Sequence, residues 1–179
     1  ECALKKTSLD IPRAVNNIVD SVSYLRKLPW VGKKKVAVLG FCMGGGLALY
    51  ALAQAKAFDA GVIYYQSMFP DPKDLKTISA PVLCHYGTND PGTTQTEIDM
   101  FRQSLDLYKK KYEIEMYPGA GHAFLNNPSN KDAANLDAAA KSVARTAKWL
   151  KKVLAQVKAN CQELTDGKQM GRTKKGARR

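Results

Sequence analysis

The stretch Lys35-Val36-Ala37-Val38-Leu39-Gly40-Phe41-Cys42-Met43-Gly44-Gly45-Gly46 constrains this chain more than any other. Its first half is apolar and rich in valine, as a buried strand requires. Its second half passes through glycines into Leu47-Ala48-Leu49-Tyr50-Ala51-Leu52-Ala53, an apolar run of good helix formers. A strand that turns at once into a helix, with one reactive residue at the turn, has the form of a nucleophile elbow. Such a turn is tight, so the flanking residues must be small. Gly40 and Gly44 are expected to supply that room. The elbow lifts Cys42 to the C-terminal edge of a sheet. It also sets the sulfur at a helix N-terminus, where the dipole favours a thiolate. From these residues alone a second reading stays open: a small buried cysteine in a Gly-rich strand–helix turn.

A nucleophile of this kind needs a base, and the base needs an orienting acid. The chain has 2 histidines, His85 and His122. His122 follows the strand-like run Tyr112–Tyr117 in the loop Pro118-Gly119-Ala120-Gly121-His122-Ala123-Phe124. That is the C-terminal end of a strand, where sites on parallel sheets assemble. His85 lies inside the apolar run Pro81–Gly87 and reads as a strand histidine hydrogen-bonded to a neighbour. The same run ends in Gly87-Thr88-Asn89-Asp90-Pro91-Gly92, which puts Asp90 just past a strand end. Asp90 suits the orienting acid, or an Asx turn before Pro91. Asn89 is the polar alternative, but it has no charge to stabilise an imidazolium.

The periodicity beyond these residues alternates. A helix is expected over Asp10–Leu28, with Ile11, Ala14, Val15, Ile18, Val19, Val22 and Leu25 on one face. Strands follow at Lys35–Gly40, Ala60–Tyr65, Pro81–Gly87 and Tyr112–Tyr117. Helices are expected at Gly44–Lys56, Thr94–Lys110 and Asp132–Asn160. A Pro/Asp-rich excursion, Phe69-Pro70-Asp71-Pro72, is expected to cross the mouth of the site. Buried strands alternating with helices give an α/β fold, with a mostly parallel sheet flanked by helices and right-handed crossovers.

With these motifs in hand, the chain resembles the dienelactone hydrolase family of the α/β-hydrolase superfamily. The resemblance rests on Gly40-Phe41-Cys42-Met43-Gly44-Gly45, on Asp90 in Gly87-Thr88-Asn89-Asp90, and on Gly121-His122-Ala123-Phe124. Tyr64-Tyr65 also matches a Tyr-Tyr-Gly of the family, with Gln66 in place of the Gly. It runs from about Asp10 to Leu154 and implies the α/β-hydrolase fold. It implies a hydrolase acting on a small ester, lactone or thioester, similar to a carboxymethylenebutenolidase. Cys42, Asp90 and His122 would be its catalytic residues. The Met43 backbone N–H would serve the oxyanion hole, and Phe41, Tyr65 and Phe124 would bind substrate. The family carries several strands, a second oxyanion donor and an acidic residue near the nucleophile ahead of the first helix read here. The chain begins with Glu1, and none of these is assignable in it, so an N-terminal truncation is expected. The family's lactone hydrolases carry an Arg four residues after the histidine, and here that residue is Asn126. An arginine fork suits a carboxylate and an asparagine does not, so a neutral substrate is at least as well matched as an anionic lactone.

Composition narrows the partners. With 179 residues and 45% hydrophobic content the chain can bury a sizeable core. We expect one domain over residues 1–160 and a basic, disordered tail over 161–179. No run approaches the roughly 18–20 apolar residues of a membrane span. Cys2, Cys42, Cys84 and Cys161 show no metal or disulfide spacing, which suits reduced thiols and the cytoplasm. No metal or cofactor is expected. Net charge is +12, but the tail Lys168–Arg179 lacks interleaved aromatics, so a nucleic-acid site is not indicated. Lys109-Lys110-Lys111 reads as a helix C-terminus complementing its dipole. The expected state is a monomer or a homodimer. Two other classes remain: an α/β module binding an acidic partner, or a redox-responsive protein oxidised at Cys42, with Cys84 approaching in space.

Overall fold

In the computed structural model, residues 9–125 and 132–170 are described, with side chains through residue 155. The first helix, α1 (Ile11–Leu25), starts where Asp10 accepts a hydrogen bond from the Arg13 backbone N–H at 3.0 Å. It stops short of the expected Leu28, because the residue before Pro29 is sterically turned away from helical backbone. Four strands follow: β1 (Ala37–Phe41), β2 (Ala60–Tyr64), β3 (Val82–Gly87) and β4 (Tyr112–Tyr117). They are joined by α2 (Met43–Gln54), a short 3-10 turn (Pro72–Thr77) and α3 (Gln95–Leu107). Thr94 and Glu97 close a capping box at the start of α3.

The strands lie in the order β1-β2-β3-β4, all parallel. The order never reverses, so right-handed crossovers put α2 and α3 on the same face. That face holds Val38, Ile63, Cys84, Tyr86 and Ile114 against α1, α2 and α3. The other face holds Val62, Tyr64, Leu83 and Tyr117 against Trp149 and Ala138. The last two belong to the closing helix α4 (Ala133–Met170).

The Pro/Asp-rich excursion is anchored on the α2 and α3 face of the sheet. Leu75 and Ile78 are buried in the first core, and the Phe69 ring packs 5.3 Å from that of Phe101, which ties the segment down against α2 and α3. The closing helix does not end at Asn160 but continues to Met170. Loss of apolar periodicity removes a packing face without removing helical backbone, so the helix runs past Asn160. Cys2 and the tail from residue 171 lie outside the described residues. Among the described residues no helix is long and apolar enough to cross a membrane.

Candidate active site

The turn between β1 and α2 is shaped by one steric demand. A Cβ on Gly40 would stand 2.1 Å from the Gly44 carbonyl oxygen and 2.7 Å from the Gly45 nitrogen. The backbone can cross itself there only if residue 40 has no side chain. Gly44 was expected to matter equally, and it does not: nothing lies within 4 Å of where its Cβ would be. Its backbone, not its missing side chain, makes the crossing. The strain falls on Cys42, at φ 51° and ψ −121°, a region that side chains rarely occupy. Hydrogen bonds hold it there. Its N–H donates to Tyr64 O at 3.0 Å, and its carbonyl accepts from Gly45 N at 3.0 Å and Gly46 N at 3.2 Å. Met43 is the first residue of α2, so its N–H has no acceptor within the helix.

Cys42, His122 and Asp90 meet at this edge of the sheet. His122 Nε2 lies 3.0 Å from Cys42 Sγ. His122 Nδ1 lies 2.9 Å from Asp90 Oδ2 and 3.1 Å from Oδ1. The Asp90 side chain is wholly buried, whereas His122 keeps 32% of its own accessible. Asp90 Oδ1 also accepts from Gly92 N at 2.7 Å. Asn89 does not take this place; its N–H donates to Ala120 O at 2.9 Å and so ties the two loops together. Thr88 adds to that tie by accepting from Gly119 N at 2.8 Å.

One contributor was not read from the sequence. Asn135, buried in the first turn of α4, accepts from Gly121 N at 2.8 Å through Oδ1. Its own N–H donates to Asp132 Oδ1 at 2.9 Å. The helix start thereby pins the backbone one residue before His122. The only signal for it is an Asp three residues ahead of an Asn at a helix start.

The aromatic candidates divide. Phe41 leaves 36% of its surface open and packs 5.0 Å from the Tyr64 ring. Tyr65 and Phe124 are buried, and both rings back the site rather than form an open wall. The Tyr65 ring meets the His122 ring edge-on at 5.4 Å. Burial, with Tyr64 and Cys42 nearby, pushes the Tyr65 hydroxyl well above its ordinary range. Tyr65 and Ala123, like Cys42, have positive φ without being glycine. Such strain costs of order 1–3 kcal/mol per residue and concentrates at functional sites.

His85 and Cys84 stand apart from this edge. His85 is buried between Tyr117 Oη and Thr146 Oγ1, each at 2.9 Å. Burial, and then the Arg145 charge, pull it down to about 3, so it stays neutral. Cys84 belongs to the first core and Cys42 packs against the second, so the sheet separates them. Burial pushes the Cys84 thiol up to about 12, which leaves it a poor resolving partner. Gln66 is buried too; its carbonyl accepts from Thr93 Oγ1 at 2.7 Å, steadying the loop that carries Asp90. Asn126 lies outside the described residues. Among the described residues no group of three or more His, Cys, Asp or Glu side chains is arranged to hold a metal ion.

The sequence pattern of the dienelactone hydrolase family matches residues 3–154. A putative carboxymethylenebutenolidase of Saccharolobus solfataricus is 36% identical over 121 residues, 65% of this chain and 46% of that protein. A carboxymethylenebutenolidase of Rhodococcus opacus is 30% identical over 161 residues, 84% of this chain and 59% of that protein. The chain thus spans about half the length of these curated relatives. Among solved structures, a dienelactone hydrolase-like promiscuous phosphotriesterase from metagenomic libraries superposes with a TM-score of 0.73 at 20% identity. That match covers 85% of this chain and 66% of the other, and it shows the α/β-hydrolase fold.

Proposed function

The chain belongs to the dienelactone hydrolase family, and on that premise we propose that it hydrolyses a small ester, lactone or thioester through a covalent thioester on Cys42. The observation that carries this reading is the unbroken run of hydrogen-bond distances from Cys42 Sγ through His122 to Asp90. His122 Nε2 takes the thiol proton while Cys42 Sγ attacks the substrate carbonyl carbon. The carbonyl π electrons move to oxygen, where the Met43 N–H donates to the developing charge; one such donor is worth about 3–4 kcal/mol. The tetrahedral centre collapses to a thioester, and His122 gives its proton to the departing oxygen or sulfur. A water then gives its proton to His122 and attacks the thioester, and the acid leaves as Cys42 takes the proton back. Asp90 keeps Nδ1 of His122 as the hydrogen-bond donor and balances the transient imidazolium. Phe41 is the one candidate wall with ring surface open to a substrate.

The test is intact mass after mixing the chain with p-nitrophenyl acetate, beside Cys42→Ala. One acetyl adduct is expected on the wild type, slowly cleared by water and absent from the variant, whose melting transition stays nearly unchanged. Turnover retained in Cys42→Ala would end the reading.

A further inference from the structure

A cleft of about 1170 Å³ opens at the N-terminal ends of β2, β3 and β4, at the opposite end of the strands from Cys42. Its walls carry Lys56, Lys109, Lys110, Lys111 and Lys152 against two carboxylates, Asp59 and Glu113. Both carboxylates are already engaged. Asp59 takes Lys35 Nζ at 2.9 Å, Arg26 Nη2 at 3.6 Å and the Val36 N–H at 2.9 Å. Glu113 is paired with Arg145 and accepts from Trp149 Nε1 at 2.8 Å. Lys110 is fixed rather than loose: its ammonium donates to Ile78 O at 2.8 Å and to Lys76 O at 2.5 Å. Those acceptors are neutral carbonyls, so its full charge remains.

The C-terminus of α3, which ends at Leu107, faces the run Lys109–Lys111. A helix end offers about half a negative charge, too little to balance three ammonium groups. The cleft therefore holds excess positive charge in a concave setting, where low-dielectric walls strengthen the field. At about 1170 Å³ it exceeds the roughly 300–1,000 Å³ of small-ligand pockets, which leaves room for an extended anion with several charged groups. Lysines act as separate point charges and suit phosphate oxygens spread over several groups, whereas a lone carboxylate is better held by an arginine fork.

We infer that this cleft binds a small anion bearing two or more phosphate groups, at a site separate from Cys42. The test is calorimetric titration of the full chain with inorganic tripolyphosphate at about 150 mM salt, where diffuse surface attraction is screened beyond about 8 Å. One saturable site is expected. Lys109→Gln combined with Lys111→Gln is expected to weaken it about tenfold or more. Melting and Cys42 acetylation stay unchanged in that variant. Lys33→Gln with Lys34→Gln, which removes equal charge from an exposed turn, is expected to leave affinity intact. No saturable binding, or an equal loss in the control pair, overturns the proposal. Tighter binding of a single-stranded oligonucleotide through the same lysines overturns it as well, because the site then serves a polymer.

Discussion

Two residues set the energetics of the site's surroundings. Gly40 sits where any Cβ meets backbone at 2.1 Å, and backbone cannot rotate away as a side chain end can. Gly40→Ala is expected to cost at least about 1–3 kcal/mol by overpacking and to abolish acetylation of Cys42. Gly44→Ala is expected to stay within about 0.5 kcal/mol of wild type. Urea midpoints of the two variants check this, and a Gly44→Ala as damaging as Gly40→Ala would refute the steric account. His85 makes a separate prediction. Its folded-state value of about 3 lies below the usual 6.5. The unfolded chain therefore binds a proton that the folded chain refuses. This part of the stability is complete above about pH 6.5 and is lost as pH falls toward 3, at up to about 1.4 kcal/mol per pH unit. His85→Gln should flatten the pH dependence of the melting midpoint over that window. Equal slopes for variant and wild type would show that other groups carry the acid sensitivity.

At the scale of elements, the site is a meeting of loops, each anchored by a different partner. The Cys42 turn is held to β2 through Tyr64 O, and the Asp90 loop to the Gln66 carbonyl through Thr93. The His122 loop is held to α4 through Asn135. Removing the Asn135 amide leaves the Gly121 N–H without this acceptor, which costs about 1–3 kcal/mol. Asn135→Ala is accordingly expected to lower the melting midpoint and also to slow acetylation of Cys42. A lowered midpoint with an unchanged acetylation rate would make Asn135 a stability residue only. The strands and most helices were legible because buried parallel strands are nearly all apolar and their helices keep a 3.6-residue stripe. Asn135 was not legible, because its role depends on α4 passing beside a loop that precedes it in sequence.

For the molecule as a whole, the sheet has an uneven pair of edges. Among the described residues β1 is an edge strand, and Leu39 is 43% and Phe41 36% exposed on it. α4 covers the central strands on that face and leaves this one open. An apolar edge strand with unpaired backbone groups is a template for pairing with another chain. The chain is expected to associate increasingly with concentration, and Leu39→Lys to reduce that association in sedimentation velocity. A concentration-independent monomer for the wild type would show that the edge is protected. The cleft and the Cys42 site lie at opposite ends of the same strands, so the two can be altered independently.

The sequence by itself determined the kind of fold and the identity of the three residues that meet. The reason is local: apolar periodicity and the glycine turn are written in neighbouring residues, and Cys42, Asp90 and His122 each sit in a short motif at the end of its own strand-like run. Only the tertiary structure decided that Gly40 and not Gly44 is sterically required, and that Tyr65 and Phe124 back the site as buried rings. It alone put Cys84 across the sheet from Cys42 and gathered lysines from two loops and from α4 into one cleft. Those outcomes depend on distances between segments far apart in the chain, fixed only when the sheet and its helices pack together.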